Sequence, residues 1–91
     1  MWKVLESKSA RKTLDVAPPE VRRKWDIWLA IVELDGPEGL RRVVGFHDEA
    51  LSGTWKGHRS SRLSIAYRVI YSVQRDALTV HVVDVTKHDY R

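Results

Sequence analysis

The chain contains no cysteine, and no apolar run approaches the roughly 20 residues that a membrane-spanning helix needs. The first absence excludes a disulfide framework, and nothing in the composition demands an oxidising compartment. The N-terminal segment also lacks the long apolar stretch of a secretory signal. We therefore expect a cytosolic protein. Its 91 residues, 43% apolar and 31% charged, predict a single globular domain over residues 1–91.

Acidic residues are missing from one long segment. Residues 51–75 carry five basic side chains and no acidic one, whereas the other 66 residues hold eleven basic and twelve acidic side chains. The net charge of +4 is therefore concentrated in this segment. Such a concentration indicates a polyanionic partner, either nucleic acid or an acidic protein, although a solvated basic surface that keeps the protein soluble would explain it as well.

Two helices are predicted in the first part of the chain, after a short apolar candidate strand at residues 2–5. The first helix covers residues 9–16 and takes Ser7 or Ser9 as its N-cap. The second begins at Pro19 and ends near Asp35, because Gly36-Pro37 follows. Its apolar stripe at a period of 3.6 consists of Val21, Trp25, Trp28, Leu29 and Val32, widened by Ile27, Ile31 and Leu34.

The next segment has a weaker pattern. We expect a further helical turn within residues 37–44, in which Leu40, Val43 and Val44 pack inward. Phe46 is the expected apolar anchor, and residues 47–49 have the composition of a loop.

The second half of the chain changes to the period of β-strands. Strands are predicted at residues 59–65, 67–73 and 78–85, with a hairpin turn at 74–77. Helices followed by an antiparallel meander predict an α+β fold, with the two N-terminal helices on one face of the sheet. Alternation directs Tyr67, Val69, Tyr71 and Val73 toward the helices. The helix-free face then carries Arg68, together with some of Arg59 and Arg62.

No cofactor or metal motif is present. The four histidines lack the close paired spacing of a zinc site, and the G-T-W-K-G run at residues 53–57 lacks the pattern of a phosphate-binding loop. What remains is His, Arg, Lys and Tyr beside a basic sheet face. RNA cleavage by 2′-hydroxyl attack needs only such groups, namely a base, an acid and cations that stabilise charge on the phosphorane.

Three motifs occur in a characteristic order: L-x-G-x-W-K-G-x-R from residue 51, Y-R-V-I-Y at residues 67–71, and K-H-D-Y at residues 87–90. With the two-helix opening at residues 7–22, they resemble the RelE/ParE toxin superfamily, and most of all its RelE, YafQ and HigB-type mRNA interferases. The resemblance implies a small twisted sheet with two N-terminal helices. It also implies a type II toxin that cleaves mRNA on the ribosome, needs no cofactor, and is silenced by a cognate antitoxin.

The resemblance also assigns roles to single residues. Arg68 matches the arginine at the scissile phosphate, and Arg62 lies where the family places a basic residue or histidine on the preceding strand. His88 matches a C-terminal histidine that transfers protons, and Tyr90 a terminal aromatic residue that stacks on a base or assists the chemistry. The expected substrate-binding residues are Lys56, His58, Arg59, His47 and Lys87.

The chain departs from the YafQ pattern at three positions. Glu49 replaces a histidine before the first motif, with His47 two residues earlier, Arg62 replaces a second histidine, and Ala66 replaces an acidic residue. The general base therefore stays open, and a catalytic set of the RelE kind, which relies on Arg and Lys, is an alternative. A ParE-like inhibitor of DNA gyrase that cleaves no RNA is the competing function, and a member that binds RNA without cleaving it is the third.

Overall fold

The computed structural model describes residues 1–87, and every structural statement below concerns these residues. They form a five-stranded sheet in the order β1-β5-β4-β3-β2, with β1 parallel to β5 and the other neighbours antiparallel. The predicted α+β fold with a mainly antiparallel sheet is confirmed. In chain order the helices and strands are β1 (Lys3–Glu6), α1 (Lys8–Asp15), α2 (Pro19–Asp35), β2 (Glu49–Ala50), β3 (Arg59–Arg62), β4 (Tyr67–Gln74) and β5 (Thr79–Lys87).

Both helices begin and end close to the predicted positions, at residues whose backbone or side chain suits a helix terminus. Of the two candidate N-caps for α1, Ser7 is the one used, because its Oγ accepts a hydrogen bond of 3.0 Å from the Ala10 amide. Pro19 occupies the first position of α2, where its missing N–H is not needed. That helix ends at Gly36, which adopts a φ of +80° and packs under the ring of Trp2.

The core lies between the two helices and one face of the sheet. Trp28 is fully buried, stacks on Trp25 with ring centroids 5.1 Å apart, and meets Tyr71 of β4 edge-on. The predicted stripe of α2 is correct along this line but wrong at its margins, because Ile27 and Leu34 are 51% and 72% exposed. Successive helical residues are about 100° apart, so only the arc centred on Trp25 and Trp28 reaches the sheet.

The connection between α2 and β2 follows the prediction in part. A 3-10 turn, Pro37–Arg42, buries Leu40, and Phe46 is fully buried with the ammonium group of Lys24 over its ring. Val44 was expected to pack inward, but it is 82% exposed. Val44 begins a separate 3-10 turn, Val44–Phe46, in which Phe46 is the buried residue, and about three residues per turn rather than 3.6 change the side on which each residue emerges. The predicted loop at 47–49 also ends early, because Glu49 begins β2.

Strand β3 is shorter than expected and ends at Arg62 rather than residue 65. Ser64 stops it, because its Oγ accepts hydrogen bonds from the amides of Ala66 and Tyr67 and so fixes a tight turn. This turn sets the register of β3 against β4.

A membrane-spanning helix is not found within residues 1–87, since their helices are too short or too polar for that role.

Candidate nucleic-acid interface

Two arginines lie directly opposite each other on neighbouring strands. Arg62 of β3 pairs in register with Arg68 of β4, and Arg68 faces Thr86 of β5 on its other side. Because Tyr67 and Val69 are buried against the helices, alternation turns Arg68 to the opposite side of the sheet, as predicted. Like charges directly opposite in a sheet repel each other. A phosphate group between the two guanidinium groups would remove that repulsion and accept charge-assisted hydrogen bonds.

One carboxylate lies beside this arginine pair. Glu49 of β2 is opposite Ser60 of β3, and its Oε1 is 3.5 Å from Nη1 of Arg68. The same Nη1 lies 3.4 Å from Oγ of Ser60. We call Glu49, Ser60, Arg62 and Arg68 the basic face. The Glu49 side chain is 61% exposed, so a substrate can reach it, and a carboxylate beside a bound phosphate can act as a general base.

None of the sequence motifs assigns a role to Glu49. A signal was available, because Glu49 occupies the position at which the YafQ pattern has a histidine. A carboxylate and an imidazole can both accept a proton.

Arg59 points to the other side of the sheet. It faces Tyr71, which is buried, and its Nε donates to Oδ1 of Asp48 over 2.8 Å. The carboxylate of Asp48 is fully buried and also accepts hydrogen bonds from the hydroxyls of Ser61 and Tyr71. Ser61 Oγ accepts a hydrogen bond of 2.9 Å from Nε1 of Trp28. Of the two arginines considered as companions of Arg68, only Arg62 shares its face.

The network around Asp48 lies on the side of the sheet opposite to the basic face. Burial raises the pKa of the Tyr71 phenol well above its ordinary value, and the hydrogen bond and charge of Asp48 raise it further. Burial alone would lower the pKa of the Arg59 guanidinium, but Asp48 outweighs this effect and leaves the pKa raised. Tyr71 therefore remains a neutral donor and Arg59 a cation. No sequence motif marked Asp48, since its burial depends on the strands closing around it.

The loop between β2 and β3 extends the basic face. Lys56 is exposed, His58 is half-buried, and the ring of Trp55 packs edge-on against His58 with centroids 5.3 Å apart. His58 directly precedes β3, the strand that carries Ser60 and Arg62. Within residues 1–87, the buried Nδ1 of His58 and Nε of Arg62 have no hydrogen-bond partner. A buried polar atom without a hydrogen-bond partner destabilises the folded protein unless a ligand or a water molecule supplies the partner.

The remaining predicted site residues are less closely associated with the basic face. His47 is exposed and adopts a left-handed conformation with φ of 45°, next to Asp48. Lys87 is exposed and faces Tyr67 in the register, so it lies on the side of the sheet opposite to Arg68. His88 and Tyr90 lie outside the described residues, and their roles stay predictions. No group of acidic or histidine side chains within the described part of the chain is arranged to hold a metal ion.

This geometry can be compared with that of known proteins. No protein-family model and no curated protein matches the sequence. Among solved structures, the archaeal RelE–RelB complex from Pyrococcus horikoshii OT3 matches with a TM-score of 0.77 and 25% identity, over 99% of this chain and 98% of that chain. The heterotetrameric YoeB–YefM toxin–antitoxin complex from Staphylococcus aureus has a TM-score of 0.73 and 16% identity, over 99% of both chains. YafQ from E. coli strain BL21(DE3) has a TM-score of 0.70 and 16% identity, over 96% of this chain and 93% of that chain.

The chain has the RelE-like toxin fold. This is the fold that the three sequence motifs indicated, and it is recovered over almost the whole length of the chain. In this RelE-like fold the helices cover one side of the sheet and leave the basic face on the other. A fold of this kind does not by itself determine an activity, which depends on the residues of that face.

Proposed function

We propose that this protein is the toxin of a toxin–antitoxin pair, and that it cleaves mRNA on the ribosome as an endoribonuclease. The observation that carries the proposal is the direct opposition of Arg62 and Arg68, with the Glu49 carboxylate beside them. Paired guanidinium groups suit a phosphodiester, because each presents planar donors and remains charged at any working pH.

The proposed reaction is attack of a ribose 2′-hydroxyl on the adjacent phosphate. Glu49 accepts the proton of the 2′-hydroxyl, while Arg62 and Arg68 stabilise the charge that develops on the phosphorane oxygens. The bond to the 5′-oxygen breaks, which leaves a 2′,3′-cyclic phosphate and a 5′-hydroxyl. The resemblance implies that His88 protonates the leaving oxygen, and that Tyr90 stacks on a base. The mechanism requires only proton transfer and cationic stabilisation, and hence no metal ion.

We propose that the antitoxin covers the same surface. A segment of the antitoxin with acidic side chains would neutralise Lys56, Arg62 and Arg68 and prevent RNA from reaching Glu49. Arg59 contributes less, because it is already paired with Asp48. Antitoxin and RNA should then compete for the protein, and simultaneous independent binding would contradict the shared surface.

The test compares arginines on two surfaces. Arg68→Ala should reduce cleavage about 100-fold or more, because a positioned cation is lost at the phosphorane. His88→Ala should reduce it roughly 10²–10⁴-fold if His88 transfers a proton. Arg23→Ala is the matched control, since Arg23 is exposed on α2 and its removal changes the net charge by the same amount. Each variant is induced without antitoxin, and growth and the ends of cellular mRNA are followed.

The decisive variant is Arg68→Ala combined with His88→Ala. The expected result is loss of toxicity and of the new mRNA ends made by cleavage, while the variant still folds and Arg23→Ala remains active. Full toxicity of the soluble double variant would refute the nuclease and favour the ParE-like inhibition of DNA gyrase. RNA binding by the unmodified protein without any new RNA ends would instead favour the binding-only alternative.

A further inference from the structure

We propose that Trp55 is a stacking platform for an RNA base next to the cleavage site, with His58 supporting its ring. The inference rests on the proposed function, because it names how the same surface holds its RNA. It adds a residue to which neither the sequence motifs nor the chemistry of cleavage assigned a role.

The exposure of Trp55 is the first observation. Trp25 and Trp28 are nearly or fully buried in the core, whereas Trp55 is 40% exposed on the loop between β2 and β3. An exposed indole is unusual for a side chain with so much apolar surface, and exposed aromatic side chains often mark binding sites.

The orientation of the ring is the second observation. The His58 ring meets the indole edge-on, with an interplanar angle of 79°. Gly53 and Gly57 flank the loop with φ of +65° and +94°, so the backbone has the left-handed conformations that this tight loop requires. The contact with His58 therefore fixes the indole at a defined place in the loop while part of its surface remains exposed. A base can stack on such a surface whatever its sequence, because every base has a π-face.

The position of the platform is the third observation. Ser60 and Arg62 lie on the same side of β3, and His58 directly precedes this strand, so the Trp55–His58 pair stands at the start of the strand that carries part of the basic face. Four residue steps lead from His58 to Arg62 at the end of β3, which is about 14 Å at the rise of extended chain. The two nucleotides joined by a phosphate at Arg62 and Arg68 would therefore have their bases away from Trp55. The stacked base belongs to a nearby nucleotide of the same strand and not to the nucleotide that is cleaved.

The chemistry of the site favours single-stranded RNA over a protein segment as the occupant. Lys56, adjacent to Trp55, is exposed and supplies a cation for the backbone of the strand. Aromatic side chains interleaved with cations are the usual arrangement for unpaired strands.

The test measures binding without cleavage. The probe is a short single-stranded RNA in which every 2′-hydroxyl is replaced by 2′-O-methyl, so that attack is impossible. Trp55→Leu should weaken binding by about 5- to 150-fold, the range for loss of one stacked base. Trp55→Phe should retain most of the affinity, because it keeps an aromatic face. Lys56→Ala is the matched control, and it should flatten the salt dependence by about 0.7 in slope, whereas Trp55→Leu should leave that slope unchanged.

A second series locates the base. Probes with a single abasic site are compared position by position. The unmodified protein should lose affinity at one position in particular, and Trp55→Leu should lose nothing further there. Trp55 is on the surface, so Trp55→Leu should unfold in urea within about 0.5 kcal/mol of the unmodified protein, as surface substitutions usually do.

Two results would overturn the stacking role. The first is equal affinity of Trp55→Leu and the unmodified protein for the intact probe. The second is weakened binding of an antitoxin peptide by Trp55→Leu with unchanged RNA binding, which would make the ring a protein contact. Both can occur while RNA cleavage in cells continues, so the failure of this inference is distinguishable from that of the nuclease. Conversely, position-specific stacking without cleavage in cells would retain the platform and reject the nuclease.

Discussion

Asp48→Asn tests whether the buried network under the basic face stabilises the fold. The Asp48 carboxylate is fully buried and accepts hydrogen bonds from Arg59, Ser61 and Tyr71. Asparagine keeps the shape of the side chain but removes its charge. It also directs an amide donor toward groups that themselves donate, and it leaves the Arg59 guanidinium without its counter-charge.

The expected effect is large for a single isosteric change. Removing one partner of a buried ion pair destabilises proteins by about 3–5 kcal/mol. The side chain of Arg59 is 22% exposed, so water screens part of its charge, and we expect the lower end, about 3 kcal/mol. A 91-residue domain has a free energy of unfolding of roughly 5–14 kcal/mol, so the variant should still fold. Its Tm should fall by roughly 12–24 °C.

Urea unfolding followed by tryptophan fluorescence measures this loss, because Trp28 is hydrogen-bonded to Ser61 inside the same network. Arg59→Met and the double variant with Asp48→Asn complete a double-mutant cycle. If the ion pair is the source of stability, the double variant is less destabilised than the sum of the two single variants, by about 0.5–3 kcal/mol. A loss below about 1 kcal/mol for Asp48→Asn, or strict additivity in the cycle, would refute the reasoning.

Two further predictions concern the backbone and the response to pH. Gly36→Ala should lower the free energy of unfolding by about 3 kcal/mol, because the φ of +80° disfavours a Cβ and the added Cβ would lie 2.7 Å from Nε1 of Trp2. Gly53→Ala is the control, since Gly53 has a φ of +65° but no atom within 4 Å of the added Cβ. An equal loss of stability in the two variants would exclude the Trp2 contact as a cause. The raised pKa of Tyr71 means that the unfolded chain loses this proton near pH 10 while the folded chain keeps it, so stability is lost as pH rises above about 10, by up to 1.4 kcal/mol per pH unit. Urea midpoints between about pH 8 and pH 11 should therefore fall more steeply for the unmodified protein than for Tyr71→Phe, and parallel curves would contradict the shift.

The extent to which the site could be predicted differs from one residue to the next. The side on which Arg68 lies is predicted correctly because it stands between two buried apolar residues, Tyr67 and Val69, and alternation decides the side of a strand. The same rule separates Arg59 from Arg62, which are three positions apart. Applying it to β3 required the ends of the strand, which a turn at Ser64 determines.

Glu49 and Asp48 could not be assigned in this way. They are neighbours in a short polar segment, yet one carboxylate is 61% exposed beside Arg68 and the other is fully buried beside Arg59. Their different environments arise only when β2 pairs with β3 and Asp48 meets donors from β3 and β4. Contacts of this kind join residues that are distant along the chain, so no local pattern of residue types encodes them.

By itself, the sequence determined the two helices, every strand except β2, the α+β class and the concentration of positive charge, because these depend on local periodicity, capping and residue counts. The tertiary structure alone decided which charges meet. It opposed Arg62 to Arg68, brought Glu49 to them, buried Asp48 beneath them, and left Ile27 and Leu34 exposed at the margins of an otherwise correctly predicted helical stripe. The physical reason is that strand register and helix rotation are set by packing of the whole core around Trp28, to which residues far apart in the chain contribute at once.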